Sequence, residues 1–368
     1  MPLAHAQVLD ALRGVTDPQL HRDLVELGMV RGVDIRGSHV QVTVAQLVPE
    51  SPVGELRRRV SAAVSGLTGV DEVVVELVLL SDHERDELAE RLDAERSAPI
   101  SFVAPGARTR VLLVASGKGG VGKSSVTVNL AIALAQRGRR VCVIDADVWG
   151  FSVPAMLGID HPPTVLGNRI LLPPASYGVE CASIGFFVRE DQPVIWRGPM
   201  LHKALEQFLT DFWWGEPDFV VVDLPPGTGD ISLSLASFLP RAEAYVVTTP
   251  QPAAQRVAQR AGLMFMSSQI NIAVRGVVEN MSWFTGDDGK RYELFGHGGG
   301  EALAERLEVP LLGQVPFMPE LREGGDAGRP VVADRPGSEP AQAFAAIARR
   351  IDEELAPSRR DHPGLRVV

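Results

Sequence analysis

The run GKGGVGKSS at positions 117–125 constrains this chain more than any other segment. Gly117, four residues, and then Gly122-Lys123-Ser124 satisfy G-x-x-x-x-G-K-[ST] in full. Before it stands Val111-Leu112-Leu113-Val114-Ala115, a short apolar run rich in strand formers, and Val126 to Gln136 after it reads as a helix. Strand, glycine loop and helix in this order commit the region to an α/β architecture. The glycines let backbone N–H groups turn inward around phosphate oxygens, and the helix N-terminus adds its positive dipole end. The pattern predicts a nucleotide site made by Gly117, Lys118, Gly119, Gly120, Val121, Gly122, Lys123, Ser124 and Ser125. Lys123 would lie on the β- and γ-phosphates and the Ser124 hydroxyl on Mg²⁺. Lys118 is a second lysine in the loop, with two readings. It is either a solvated charge or a further cation that neutralises charge developing in phosphoryl transfer, in its own subunit or across a dimer interface.

Alternation of elements extends the α/β reading down the chain. Strands are expected at 111–115, 140–145, 218–223, 243–248, 273–279 and 311–315. Helices are expected at 123–137, 153–158, 199–213, 231–237, 252–266, 301–306 and 338–355. Such alternation implies a mostly parallel sheet covered on both faces. Residues 1–90 read differently. Val8, Leu9, Leu12 and Val15 fall at helical spacing, His39 to Val48 alternates as a strand, Pro52 to Ser65 is a helix and Val70 to Leu80 another strand. The expected organisation is a small α+β domain over 1–90, a linker over 91–109, a P-loop NTPase domain over 110–356 and a tail over 357–368.

At 368 residues with 45% hydrophobic and 22% charged content, the chain can bury a sizeable core. Its net charge of −10 argues against general nucleic-acid binding. No apolar stretch approaches the roughly 20 residues of a membrane span. The first residues, MPLAHAQVLDALRGV, lack a basic region followed by an apolar core, so a cytoplasmic location is expected. The two cysteines, Cys142 and Cys181, both fall in strand-like runs and form no C-x-x-C, so each reads first as a structural thiol.

Acidic strand ends supply the rest of the candidate chemistry. In VCVIDADVWG, Asp145 and Asp147 stand where a buried strand emerges, the edge at which parallel sheets bind ligands. Asp145 is expected to hold Mg²⁺ through water, and Asp147 to orient or deprotonate the attacking water. The alternative is a pair of turn-forming aspartates. In FVVVDLPPGTGD, Asp223 is expected near Mg²⁺, the Gly227 N–H is placed to sense a γ-phosphate, and Asp230 caps the next helix or acts in the site. In VVENMSW, Asn280 offers a donor and an acceptor to an adenine edge, or else caps a turn. His297, in Gly296-His297-Gly298-Gly299-Gly300, reads as solvated.

Together, GKGGVGKSS, DADVWG, DLPPGTGD, TTPQP and VVENMSWF resemble the Mrp/ApbC family of P-loop ATPases, relatives of the cell-division ATPase MinD. The resemblance runs from about Arg110 to Pro330. Thr16-Asp17-Pro18-Gln19 and Leu27-Gly28-Met29-Val30 resemble the small domain that precedes it in bacterial members and stands alone in iron–sulfur assembly proteins. The resemblance implies a homodimer that binds ATP with Mg²⁺, hydrolyses it slowly and carries iron–sulfur clusters to apoproteins, with iron–sulfur apoproteins or assembly factors as partners; from charge and the lack of a long apolar run, neither nucleic acid nor membrane is expected. Carried onto this sequence, Lys118, Gly119, Gly120, Gly122, Lys123 and Ser124 make the nucleotide site, with Asp145, Asp147 and Asp223 serving metal and water. Lys118, Lys123 and Asp147 are then the catalytic set, and Ser124, Asp145 and Asp223 the metal set.

The sequence departs from that family in its thiols. Members place a C-x-x-C soon after the E-N-M-S segment, whereas Trp283 to Lys290 holds no cysteine. The small domain often carries a Cys before a Pro where this chain has Ser51-Pro52. Cys181 and His297 stand as the remaining ligand candidates. The competing function is a nucleotide-switched scaffold that positions partners and binds no metal.

Overall fold

The computed structural model describes residues 3–47, 53–96, 100–104, 106–148, 150–167, 170–187, 198–227 and 230–355. Ser51-Pro52, Trp149, Thr228, Gly229, the tail over 357–368 and the side chain of Asp230 lie outside the described residues. The chain divides into two compact units. One comprises Met1–Ser97, Pro163–Pro173 and Asp211–Gly215, and the other comprises Ala98–Pro162, Pro174–Thr210 and Glu216–Val368.

The smaller unit is built on β1 (Val30–Arg36), β2 (His39–Gln46) and β3 (Glu72–Leu79), with α1 (His5–Leu12) and α2 (Val53–Ser65). β1 and β2 form an antiparallel hairpin, and β3 returns parallel to β2. Period-two alternation puts Val40, Val42 and Val44 on the inner face, packed in one core with Val8, Leu12, Leu56, Val60 and Val64. Each such side chain contributes about 1.5–3 kcal/mol by leaving water. α3 (Asp82–Ala94) starts on a capping box, in which Ser81 and Glu84 exchange hydrogen bonds. It runs unbroken through residues 90 and 91 because Leu88, Ala89 and Leu92 are buried in this same core. The segments 163–173 and 211–215, read from sequence within the second domain, join the smaller unit. Leu166, Ile170 and Leu172 enter its core, and the Trp213 indole N–H donates to Leu20 O at 3.2 Å.

The larger unit carries an eight-stranded sheet. Its strands in chain order are β4 (Arg110–Ser116), β5 (Val141–Asp145), β6 (Ala175–Ser176), β7 (Val179–Ser183), β8 (Phe219–Asp223), β9 (Glu243–Thr248), β10 (Ala273–Asn280) and β11 (Leu311–Val315). Their order across the sheet is β11-β10-β9-β4-β8-β5-β7-β6, all parallel except the short edge strand β6. β4, β5, β8 and β9 are buried at every position, which is why they read as continuous apolar runs rather than alternating ones. α4 (Lys123–Gln136) follows the glycine loop and buries Val126 through Leu134. The last helix, Glu339–Arg349, ends in one π-helical turn, Arg350–Glu354, and Phe344, Ile347 and Ile351 bind it to the core.

Where the sheet begins, at its N-terminal edge, a buried charge pair closes the structure. Arg110 donates to Glu243 at 2.7 Å and to the Tyr245 hydroxyl at 3.3 Å, while Tyr245 donates to the same carboxylate at 2.9 Å. The Arg110 guanidinium also reaches the Ile351 carbonyl and stands 5.5 Å from the centre of the Phe219 ring.

Candidate functional site

The C-terminal ends of β4, β5 and β8 meet at the glycine loop. Two glycines there are required by geometry. A Cβ on Gly117 would overlap the backbone of Val257 and Ala258, so the strand passes the helix Pro252–Met266 at closest approach. Gly122 caps α4 in the left-handed region at φ 78°, where a side chain would also run into the Asn280 amide. Gly119 and Gly120 lie exposed on the outer turn, and Val121 is buried.

Lys123, Ser124 and Asp223 form the centre. The Lys123 ammonium is 2.7 Å from Asp223 Oδ2 and 3.8 Å from Asp147 Oδ2. Ser124 donates its hydroxyl to the same Asp223 oxygen at 2.6 Å. Thr127 donates to Asp223 Oδ1 at 2.7 Å, so both oxygens of this fully buried carboxylate are aimed by α4. Thr127 was not singled out from sequence, although its spacing one helical turn beyond Lys123 puts it on the same face.

Asp145 sits beside this group but is held differently. Its Oδ1 accepts from the Asp147 N–H at 3.2 Å, and its Oδ2 accepts from the Ser152 and Val153 N–H groups at 3.2 Å and from the Ser183 hydroxyl at 3.1 Å. The carboxylate assigned to the metal by sequence thus spends its oxygens on the loop that follows it. Burial, with the charge of Asp223 second, raises its pKa to about 7.

Lys118 donates to Gln251 Oε1 at 3.2 Å, within its own subunit, and its carbonyl accepts from Ser116 Oγ at 3.0 Å. The Gly227 N–H, expected from sequence to face a phosphate, donates to Ser116 O at 2.9 Å.

Asn280 is buried at the end of β10. It donates Nδ2 to Val121 O at 2.9 Å, and its Oδ1 has no partner among the described residues. Beside it opens a cavity of about 370 Å³ lined by Gly122, Ser125, Met156, Phe317, Met318 and Leu321 among others. The slot is predominantly apolar and opens beside the glycine loop. Sequence reading missed its walls, because Met156 and the helix Pro319–Asp326 arrive from distant segments. The neighbouring Glu279 accepts from Gln314 Nε2 at 2.8 Å and from the Gly300 N–H, tying the strand end to the helix Gly299–Arg306.

The two thiols lie elsewhere. Val143 pairs with Cys181 across β5 and β7, so Cys142 and Cys181 project from opposite faces of the sheet. Both are buried, and burial raises both pKa values well above the ordinary thiol value, with Glu180 adding to the effect on Cys142 and Asp145 on Cys181. Cys142 donates to Glu180 Oε2 at 3.1 Å. His297 is exposed and pairs with Glu293 at 2.9 Å. Among the described residues, no group of three or more His, Cys, Asp or Glu side chains converges as a ligand set. No described helix is long and apolar enough to cross a membrane.

Comparison with known proteins places this geometry. A nucleotide-binding protein of Archaeoglobus fulgidus, in complex with ADP, superposes with a TM-score of 0.56 at 30% identity, covering 72% of this chain and 97% of that one. The septum site-determining protein MinD of Pyrococcus horikoshii, complexed with Mg-ADP, gives 0.50 at 26% identity, covering 67% and 97%. The iron-sulfur cluster carrier protein of Mycobacterium leprae is 47% identical, with 96% of each chain covered. Residues 5–77 match the iron-sulfur cluster assembly protein family. Residues 107–352 match the family described as NUBPL iron-transfer P-loop NTPase, and with two thirds of its length in that match this chain belongs to it.

Proposed function

We propose that this chain is an ATP-hydrolysing carrier or assembly factor for iron–sulfur clusters, cytoplasmic and homodimeric, that delivers its cargo to apoproteins. The observation that carries the ATPase half is the convergence of Lys123, Ser124, Thr127 and Asp223 at the mouth of an apolar slot. Phosphate oxygens would compete with Asp223 for the Lys123 ammonium, and loop N–H groups would take up the remaining charge. The Ser124 hydroxyl and Asp223 carboxylate are hard oxygen donors that fit Mg²⁺, which when bound neutralises the phosphates. Asp147, 3.8 Å from Lys123, is placed to orient a water toward the γ-phosphate. Asp145 would act by fixing the backbone of Asp147 and Ser152, reaching a metal only through water. Lys118 would neutralise transition-state charge, and Asn280 would read the base.

The cargo half rests on the relatives named as cluster carriers. The residues of this chain do not fit a cluster: its two thiols are buried, held protonated and on opposite sheet faces. We therefore assign cluster ligands to partner proteins or external thiols. Anaerobic reconstitution with iron and sulfide tests this, with wild type beside a Cys142→Ser/Cys181→Ser variant. Little bound iron in either is expected. Stoichiometric iron and sulfide in wild type, lost in the variant, would overturn it.

A further inference from the structure

The helix Pro252–Met266 touches the phosphate loop with one face and presents an unusual other face. On the inner side, Gly117 is pressed against the backbone of Val257 and Ala258, and Gln251, the residue preceding the helix, receives Lys118 at 3.2 Å. On the outer side, Val257, Leu263 and Met266 are exposed large hydrophobic residues, the last two by about half their surface. Arg256 and Arg260 run between them, one helical turn apart and exposed. Neither has an ion pair or hydrogen bond among the described residues, in a chain of net charge −10 where many other arginines are paired.

We infer that this outer face docks an acidic, apolar segment of a partner protein, and that the phosphate loop senses its occupancy through Gly117 and Lys118. Two unpaired guanidiniums flanked by aliphatic side chains are complementary to carboxylates set among apolar residues, and Arg with exposed apolar area is the composition of binding hot spots. Coupling follows from contact. The helix backbone cannot move against Gly117 without moving the loop, because no free space separates them. Docking of such a segment needs no bound cluster, so the face serves the same occupant whatever the cargo.

The test uses the full chain and two dye-labelled synthetic amphipathic peptides. One carries Leu beside two Glu a turn apart, and its counterpart carries Lys in place of Glu. Anisotropy titrations are run with ADP and with a non-hydrolysable ATP analogue. The acidic peptide should bind saturably and the basic one about tenfold more weakly or worse. Arg256→Glu/Arg260→Glu should invert that order, and Leu263→Asp should weaken both, each with ATP turnover in the absence of peptide unchanged. Affinity should differ about threefold or more between the two nucleotides. Absence of saturable binding, or binding indifferent to the charge reversal, would overturn the docking surface. Equal affinity with both nucleotides would overturn the coupling. Adsorption of wild type to phosphatidylserine vesicles, lost on charge reversal, would overturn it in favour of a membrane surface. Self-association lost in Leu263→Asp would overturn it in favour of a second copy of the chain.

Discussion

The two edges of the eight-stranded sheet each bury a cation against carboxylate, and they do so to different ends. At the N-terminal edge, Arg110 and Glu243 pair opposite charges with Tyr245 bonded to both, and the guanidinium also reaches a helix carbonyl and an aromatic ring. At the C-terminal edge, the Lys123 ammonium lies within salt-bridge distance of Asp223 and Asp147, and Asp145 lies close enough to feel both Lys123 and Asp223. Three carboxylates about one ammonium leave excess negative charge. The raised pKa of Asp145 is one sign of that excess, after burial. A buried cluster that balances itself is architecture; one that leaves charge unbalanced invites a ligand that completes it.

The largest expected effect tests the closed edge. Arg110→Ala should cost about 3–5 kcal/mol in urea unfolding, because the buried Glu243 carboxylate loses the guanidinium that neutralises it. Arg110→Met/Glu243→Leu should recover most of it. If the double variant is as unstable as the single one, the pair is not self-contained. Next comes the open edge, where Lys123→Ala should weaken a fluorescent ATP analogue about 100-fold, since a charge-assisted contact to phosphate is removed. Unchanged affinity would mean the loop is not a phosphate site. Lys118→Ala should lower kcat roughly tenfold while changing nucleotide affinity far less, as expected of charge that matters most in the transition state. Equal losses in kcat and affinity would make it a ground-state contact.

The smallest effect is on pH dependence. Burial holds the folded pKa of Asp145 at about 7, well above the ordinary carboxylate value. The native state therefore holds an extra proton between about pH 4 and 7, and the stability from this group falls as pH rises through that window, levelling above it. Asp145→Asn should flatten that part of the profile in unfolding experiments run from pH 5 to 8. A slope that persists would place the titration elsewhere.

Much of the sheet was legible because its strands are buried on both faces and punctuated by glycine and aspartate. The helix expected at 252–266 is observed as Pro252–Met266, and the strand expected at 311–315 as Leu311–Val315. The helix expected at 338–355 resolves into an α-helix and a π-turn, a change of backbone pattern that leaves the apolar face continuous. Residues 164–166, 170–172 and 211–215 were illegible as parts of the smaller unit, since their membership depends on side chains such as Leu166 and Trp213 meeting a core far away in sequence.

The sequence by itself determined the phosphate loop, the acidic strand ends and the absence of a C-x-x-C, because each is a local pattern whose chemistry depends on spacing along one segment. Only the tertiary structure decided what those groups face. It turned Asp145 onto backbone amides and the Gly227 N–H onto Ser116, and recruited Thr127 to Asp223. It set the two thiols on opposite sheet faces and assembled the apolar slot from Met156, Asn280, Phe317 and Leu321. The reason is physical: the direction of a side chain is fixed by strand register and helix phase, and its partners by which distant elements pack against it.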